Sequence, residues 1–128
     1  MRIKIAEQYN KGFQDNRHFT LPEISSDNAM HLYPLRLNLN TLQISRNEFI
    51  EQLQKKGIGV SVHFIPLHTM PFYKNKYKIH KSALPCSVGT YEREISLPIW
   101  PGMSQKQIEY VIKTVKNIAK KNGKAIHM

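Results

Sequence analysis

Thiol chemistry is nearly absent from this 128-residue chain: Cys86 is the single cysteine. That excludes a disulfide framework and a Cys-rich zinc site, and fits a reducing, cytoplasmic setting. Acidic residues are scarce as well. Nine Asp and Glu stand against 19 Lys and Arg, for a net charge of +10. The carboxylates are scattered, so none pair as an acid and a base. No apolar run approaches the roughly 20 residues that cross a bilayer. The first segment is charged and polar, unlike a signal peptide. No Gly-rich loop follows a strand, and no serine is framed as a nucleophile elbow. Cys86 follows Pro85 near a helix start, where a thiolate is favoured, but no base stands beside it. Catalytic sets are therefore missing.

A hydrophobic fraction of 41% supports a real core. The length suits one compact domain, expected over residues 1–123, with 124–128 as a frayed tail. Residues Arg2 to Gln14 read as a helix, with Ile3, Ile5, Ala6, Tyr9 and Phe13 roughly on one stripe and Gly12 weakening its end. A helix placed at the very start suggests that something once preceded it. Phe19 to Leu21 can form a short strand. Met30 to Leu39 reads as a longer one, its leucines at 35, 37 and 39 alternating with Arg36 and Asn38. Pro34 lacks an amide donor, which predicts an edge position or a bulge.

Ser45 and Glu48 form a capping box ahead of an apolar stripe, and Gly57 supplies the stop. Ile58 to Phe64 has the clearest period-two pattern, with Ile58, Val60, Val62 and Phe64 on one face and His63 on the other. Pro66 ends any pairing. The stretch from Leu67 to Ser82 is irregular, with one helical turn at Pro71 to Lys74. A short helix runs from Pro85 to about Arg93, and a strand from Ile95 to Leu97. Ser104 and Gln107 make a second capping box. The final helix carries Ile108, Val111, Ile112, Val115, Ile118 and Ala119 as an unbroken stripe and stops at Asn122-Gly123. The order predicts an α+β fold: a small antiparallel or mixed sheet with helices packed on one face.

His63 and His68 flank Pro66 at the end of the expected strand. No Cys, Asp or Glu is close in sequence to complete a coordination shell, so a metal is not expected. An imidazole can donate to an anionic oxygen, so phosphate or hydroxyl recognition competes with a purely structural role. The segment from Tyr73 to Lys81 interleaves aromatics with lysines, yet lacks the glycines and repeats of a nucleic-acid module. Lys113, Lys116, Lys120, Lys121 and Lys124 line what reads as a solvated helix face. Trp100, between two prolines, is either a ligand platform or a plug between sheet and helix. By residues alone the chain is a basic α+β domain with a candidate ligand loop, and a stand-alone binding module for nucleotides, nucleic acid or an acidic protein remains open.

Two segments say more. "GIGVSVHFIPLHTMPFY" (residues 57–73) and "EREISLPIWPGMSQKQIEYVI" (residues 92–112) resemble the C-terminal domain of nucleotide-sugar aminotransferases of the DegT/DnrJ/StrS type. The likeness runs in order over nearly the whole chain, with Arg2 to Phe13 as the opening helix of the small domain. It implies the closing domain of a fold type I, pyridoxal-phosphate-dependent enzyme. Such enzymes are usually dimeric and move an amino group from glutamate or glutamine to a keto-sugar on a nucleotide diphosphate. Their products feed surface polysaccharide, lipopolysaccharide and glycan synthesis. The resemblance places the cofactor lysine in a large N-terminal domain that this chain lacks, so no residue here inherits a catalytic or cofactor role. It implicates His63, Phe64 and His68 in substrate contact, with His31 and Tyr73 as lesser candidates. Phe64 stands where the family often has Tyr, so a hydroxyl contact is lost there.

Overall fold

The computed structural model describes residues 1–126. The elements are α1 (Arg2–Phe13), β1 (Phe19–Thr20), β2 (Tyr33–Leu37), α2 (Arg46–Lys55), α3 (Pro71–Tyr77), α4 (Pro85–Arg93), β3 (Glu94–Leu97) and α5 (Gln105–Lys121). Short 3-10 turns lie at Leu39–Thr41, Leu67–Thr69 and Lys81–Ala83. The sheet is antiparallel throughout, in the order β1-β2-β3. The fold is α+β, as the alternation of periods implied.

Register decides what each face carries. Tyr33 lies opposite Leu97, Leu35 opposite Ile95, and Phe19 opposite Leu37. These side chains share one face and are all buried. They join Tyr9 and Phe13 of α1, Phe49 and Leu53 of α2, and Val111 and Val115 of α5 in a single cluster. Burying each such side chain contributes about 1.5–3 kcal/mol. Aromatic contacts tighten the cluster: the Tyr9 and Tyr33 rings lie 4.8 Å apart, and Phe13 meets Phe19 edge-on at 5.4 Å. The two phenols remain partnered. Tyr9 donates to the Pro98 carbonyl at 2.7 Å and Tyr33 to Asn10 Oδ1 at 2.6 Å. Burial raises both hydroxyls well above the ordinary phenol range, Tyr33 further through its proximity to Tyr9.

The helix ends follow their sequence signals. Ser45 Oγ accepts from the Glu48 amide at 3.2 Å while Glu48 Oε2 accepts from the Ser45 amide at 2.8 Å, and Ser104 with Gln107 repeats the arrangement ahead of α5. Gly57, with φ +74°, provides the left-handed stop beyond α2. Gly12 has a packing reason. A Cβ there would fall 2.7 Å from Ile112 Cγ2, so its absence lets α1 and α5 approach.

Several expectations need correcting. Residues 58–64 are not a strand: only Ser61 pairs, in one bridge with Ser96 along the outer edge of β3. The strand expected over Met30 to Leu39 is confined to Tyr33–Leu37, because Met30 takes φ +46° and Leu39 enters a 3-10 turn. Pro34 sits on the central strand, not at an edge or a bulge. It is tolerated because β1 pairs only with Arg36 and Leu37 and leaves Pro34 without a neighbour on that side. The single turn expected at Pro71 extends to Tyr77. Trp100 is 42% exposed, so it is not a buried plug between sheet and helix. The tail is tied at its first residue: the Lys124 amide donates to the Thr41 carbonyl at 2.8 Å, and Arg17 donates to the Lys124 carbonyl. His127 and Met128 lie outside the described residues.

Candidate functional site

On the sheet's second face Glu94 and Ser96 alternate with the buried Ile95 and Leu97. Both are buried as well, Glu94 at 2% exposure. A buried carboxylate needs partners, and here two donors reach it, while Arg46 fixes the adjoining backbone. The His63 amide donates to Glu94 Oε2 at 3.0 Å, and Ser96 Oγ donates to Glu94 Oε1 at 2.5 Å. Arg46, at the start of α2, donates to the main-chain carbonyls of Tyr91 at 2.8 Å and Glu94 at 3.1 Å, with its guanidinium 5.1 Å from the Tyr91 ring centre. The end of α4 and the start of β3 are thereby locked against α2.

The same network fixes the His63 ring. Its Nδ1 lies 2.8 Å from Ser96 Oγ. Serine has one proton, and Ser96 gives it to Glu94, so Nδ1–H is the donor in that contact. Nε2 is left free of this network: an acceptor in the neutral ring, a donor in the imidazolium. Phe64 packs edge-on against His63 with centroids 4.7 Å apart, and is itself 73% exposed.

The structure gathers some of the sequence-derived site residues and separates others. His31 and His63 line one cavity of about 140 Å³ together with Ser61 and Ser96. His68 does not join them. It lines a second cavity of about 230 Å³ with Pro66, Thr69, Lys74, Val88 and Tyr91. Tyr73 lies on the outside of α3, between Phe72 and the stacked ring of Tyr77. Glu94, Ser96 and Arg46 were missed in the sequence. The alternation of Glu94 and Ser96 with Ile95 and Leu97 was the available signal for the first two. Nothing local marked Arg46.

No cluster of three or more His, Cys, Asp or Glu fit to hold a metal ion occurs among the described residues. No helix among them is long and apolar enough to cross a membrane. Every lysine side chain is exposed.

Comparison with known proteins agrees with this architecture. Residues 1–116 match the DegT/DnrJ/EryC1/StrS aminotransferase family. An uncharacterized protein of Methanocaldococcus jannaschii, MJ1066, is 44% identical over 123 residues, which is 94% of this chain and 32% of that protein. The spore coat polysaccharide biosynthesis protein SpsC of Bacillus subtilis is 34% identical over 122 residues, 93% of this chain and 31% of that protein. Among solved structures, the putative sugar aminotransferase Spr1654 of Streptococcus pneumoniae, in its PMP-form, superposes with a TM-score of 0.82 at 28% identity, covering 94% of this chain and 30% of that one. The chain thus spans about a third of the length of the relatives it matches.

Proposed function

Because the chain belongs to the DegT/DnrJ/EryC1/StrS aminotransferase family, we propose that it is the small, C-terminal domain of a pyridoxal-phosphate-dependent enzyme that aminates nucleotide-linked keto-sugars for surface polysaccharide or related glycans. The cofactor and its lysine would belong to a large domain outside this sequence, and the assembled enzyme would be a cytoplasmic homodimer. The chain alone would not transaminate. Its part is to orient the substrate and supply electrostatics.

The observation that carries this reading is the cavity shared by His31 and His63, built on a chain that is similar to sugar aminotransferases over nearly its full length. At about 140 Å³ it is too small to enclose a nucleotide sugar, since small-molecule sites run roughly 300–1,000 Å³. It suits one wall of a larger site, against which the diphosphate rests. Glu94 and Ser96 hold the His63 ring so that Nε2 is the atom left for the substrate. Protonated, that atom donates to a phosphate oxygen. Phe64, exposed beside it, offers an apolar surface to the base or sugar. The net charge of +10 draws the anionic substrate in.

A nucleoside diphosphate titrated into the 15N-labelled chain tests the reading. The amides of His31, Ser61 and His63 should shift together and saturably. If those amides stay fixed while others move, the cavity is not the diphosphate wall.

A further inference from the structure

His68 carries an unresolved need. It is 5% exposed, yet its Nε2 is buried with no hydrogen-bond partner in the protein. A buried polar atom left unpaired costs about 1–3 kcal/mol, so such atoms normally have a partner from outside the chain. The ring lines the 230 Å³ cavity, separate from the one His63 lines. Four short elements converge there. The turn Leu67–Thr69 brings His68, α3 brings Lys74, the turn Lys81–Ala83 brings Lys81, and α4 brings Val88, Tyr91 and Glu92.

The charge in this cavity is also unfinished. Lys81 Nζ lies 3.2 Å from Glu92 Oε1, both side chains more than half exposed, an ion pair of little worth. Lys74 has no carboxylate partner among the described residues. One carboxylate therefore faces two ammonium groups and an unpaired imidazole. Thr69 adds no donor, because its hydroxyl already donates to the Pro66 carbonyl at 2.7 Å.

We propose that the cavity between α3 and α4 is an anion site in which His68 Nε2, Lys74 and Lys81 hold a single phosphate group, free or carried by a small phosphorylated molecule. Three donors from three separate elements suit a tetrahedral oxyanion. Lysines serve phosphate as point charges without demanding a planar fork. The volume admits a phosphate with a few waters, each taking about 30 Å³, and excludes a nucleotide. Val88 and Tyr91 give the inner wall an apolar lining, which strengthens the charged contacts. The inference does not depend on the aminotransferase reading, since the residues and the cavity are different.

The test uses the full 128-residue chain, with inorganic phosphate and a hexose monophosphate as probes and chloride at matched ionic strength as control. The His68 ring nitrogens and the Thr69 amide should shift saturably with phosphate and not with chloride, while Ser61 and His63 stay in place. Lys74→Met and Lys81→Met, at exposed positions, should each weaken binding by tenfold or more with the melting temperature unchanged. Tighter binding of the hexose monophosphate than of free phosphate would identify a phosphorylated metabolite as the ligand, and equal binding the free ion. His68→Gln should abolish the response; the wild-type shifts decide the matter if that variant does not fold. His68 resonances unmoved at tens of millimolar phosphate, or moved alike by chloride, would overturn the proposal and leave water as the partner of Nε2. Shifts confined to Ser61 and His63 would overturn it equally, without touching the first reading.

Discussion

The His63 amide is bonded to the side chain of Glu94 rather than to a strand, at 3.0 Å from Oε2. A carboxylate at the start of β3 thus takes the place of the ladder acceptor that a fourth strand would have used. Two charged hydrogen bonds meet on this one group, from His63 and from Ser96.

Glu94→Ala should therefore be costly. It removes both contacts and leaves two donors without an acceptor in a buried setting. Hydrogen bonds to a charged group are worth about 1.5–3 kcal/mol each. We expect a loss of roughly 2–4 kcal/mol in urea denaturation, with Glu94→Gln losing less because one acceptor oxygen survives. Amide exchange at His63 should quicken in both variants. A stable Glu94→Ala with a slowly exchanging His63 amide would contradict the network.

Gly12→Ala gives a second, independent prediction. The added Cβ would meet Ile112 Cγ2 at 2.7 Å and Cδ1 at 2.8 Å. Overpacking of this kind costs about 1–3 kcal/mol, whereas alanine in a helix recovers about 1 kcal/mol over glycine. The net expectation is a loss of about 1 kcal/mol by chemical denaturation. Ile112→Ala in the same background should turn Gly12→Ala into a gain. Additive effects in that double-mutant cycle would show that the two positions do not meet.

Acid should weaken the fold through His18. Its ring is buried, with Nδ1 2.8 Å from Thr41 Oγ1. The Thr41 hydroxyl donates to the Asn38 carbonyl, so Nδ1–H is the donor in the ring contact. Desolvation first, and then the neighbouring Arg17 charge, lowers the His18 pKa from its ordinary value of 6.5. The unfolded chain therefore binds a proton that the folded one refuses. Stability from this group is complete above about pH 6.5 and is lost as pH falls from there toward the lower folded value. The melting temperature should drop between about pH 7 and pH 5, and His18→Gln should flatten that part of the profile. The depressed Glu48 carboxyl, held by the Ser45 backbone and side chain, acts in the same direction only at lower pH, below its usual 4.5. An unchanged profile in His18→Gln would rule out His18 as the sensitive group.

Much of the architecture was legible in the sequence because it is encoded locally. Ser45 with Glu48, and Ser104 with Gln107, mark helix starts through contacts three residues apart. The α5 stripe carries its own period. What failed was non-local. Ile58, Val60 and Val62 alternate as a strand should, but pairing needs a partner of matching length, and β3 offers this segment a single bridge at Ser61. Pro34 was legible as a missing donor, while its tolerance on a central strand depends on how far β1 reaches. At the candidate site, His31 and His63 were drawn together by a sheet edge that spacing alone does not show. His63 and His68 are five residues apart in sequence and open on different cavities, because Pro66 and the turn after it redirect the chain. Arg46 gave no signal, since its partners are carbonyls 45 and 48 positions away.

The clamp at His63 has a consequence for the segment that follows. From Phe64 to Leu84 the chain contributes nothing to the main apolar cluster, and Phe64, Leu67, Phe72 and Tyr77 face outward. The polypeptide is gripped by Glu94 on one side of this stretch and returns to that cluster only at Ile95 on the other. It is in effect a cassette: apart from His68, which is buried within it, its outward-facing positions can be rewritten, by evolution or by an engineer, with little penalty to the scaffold that carries it.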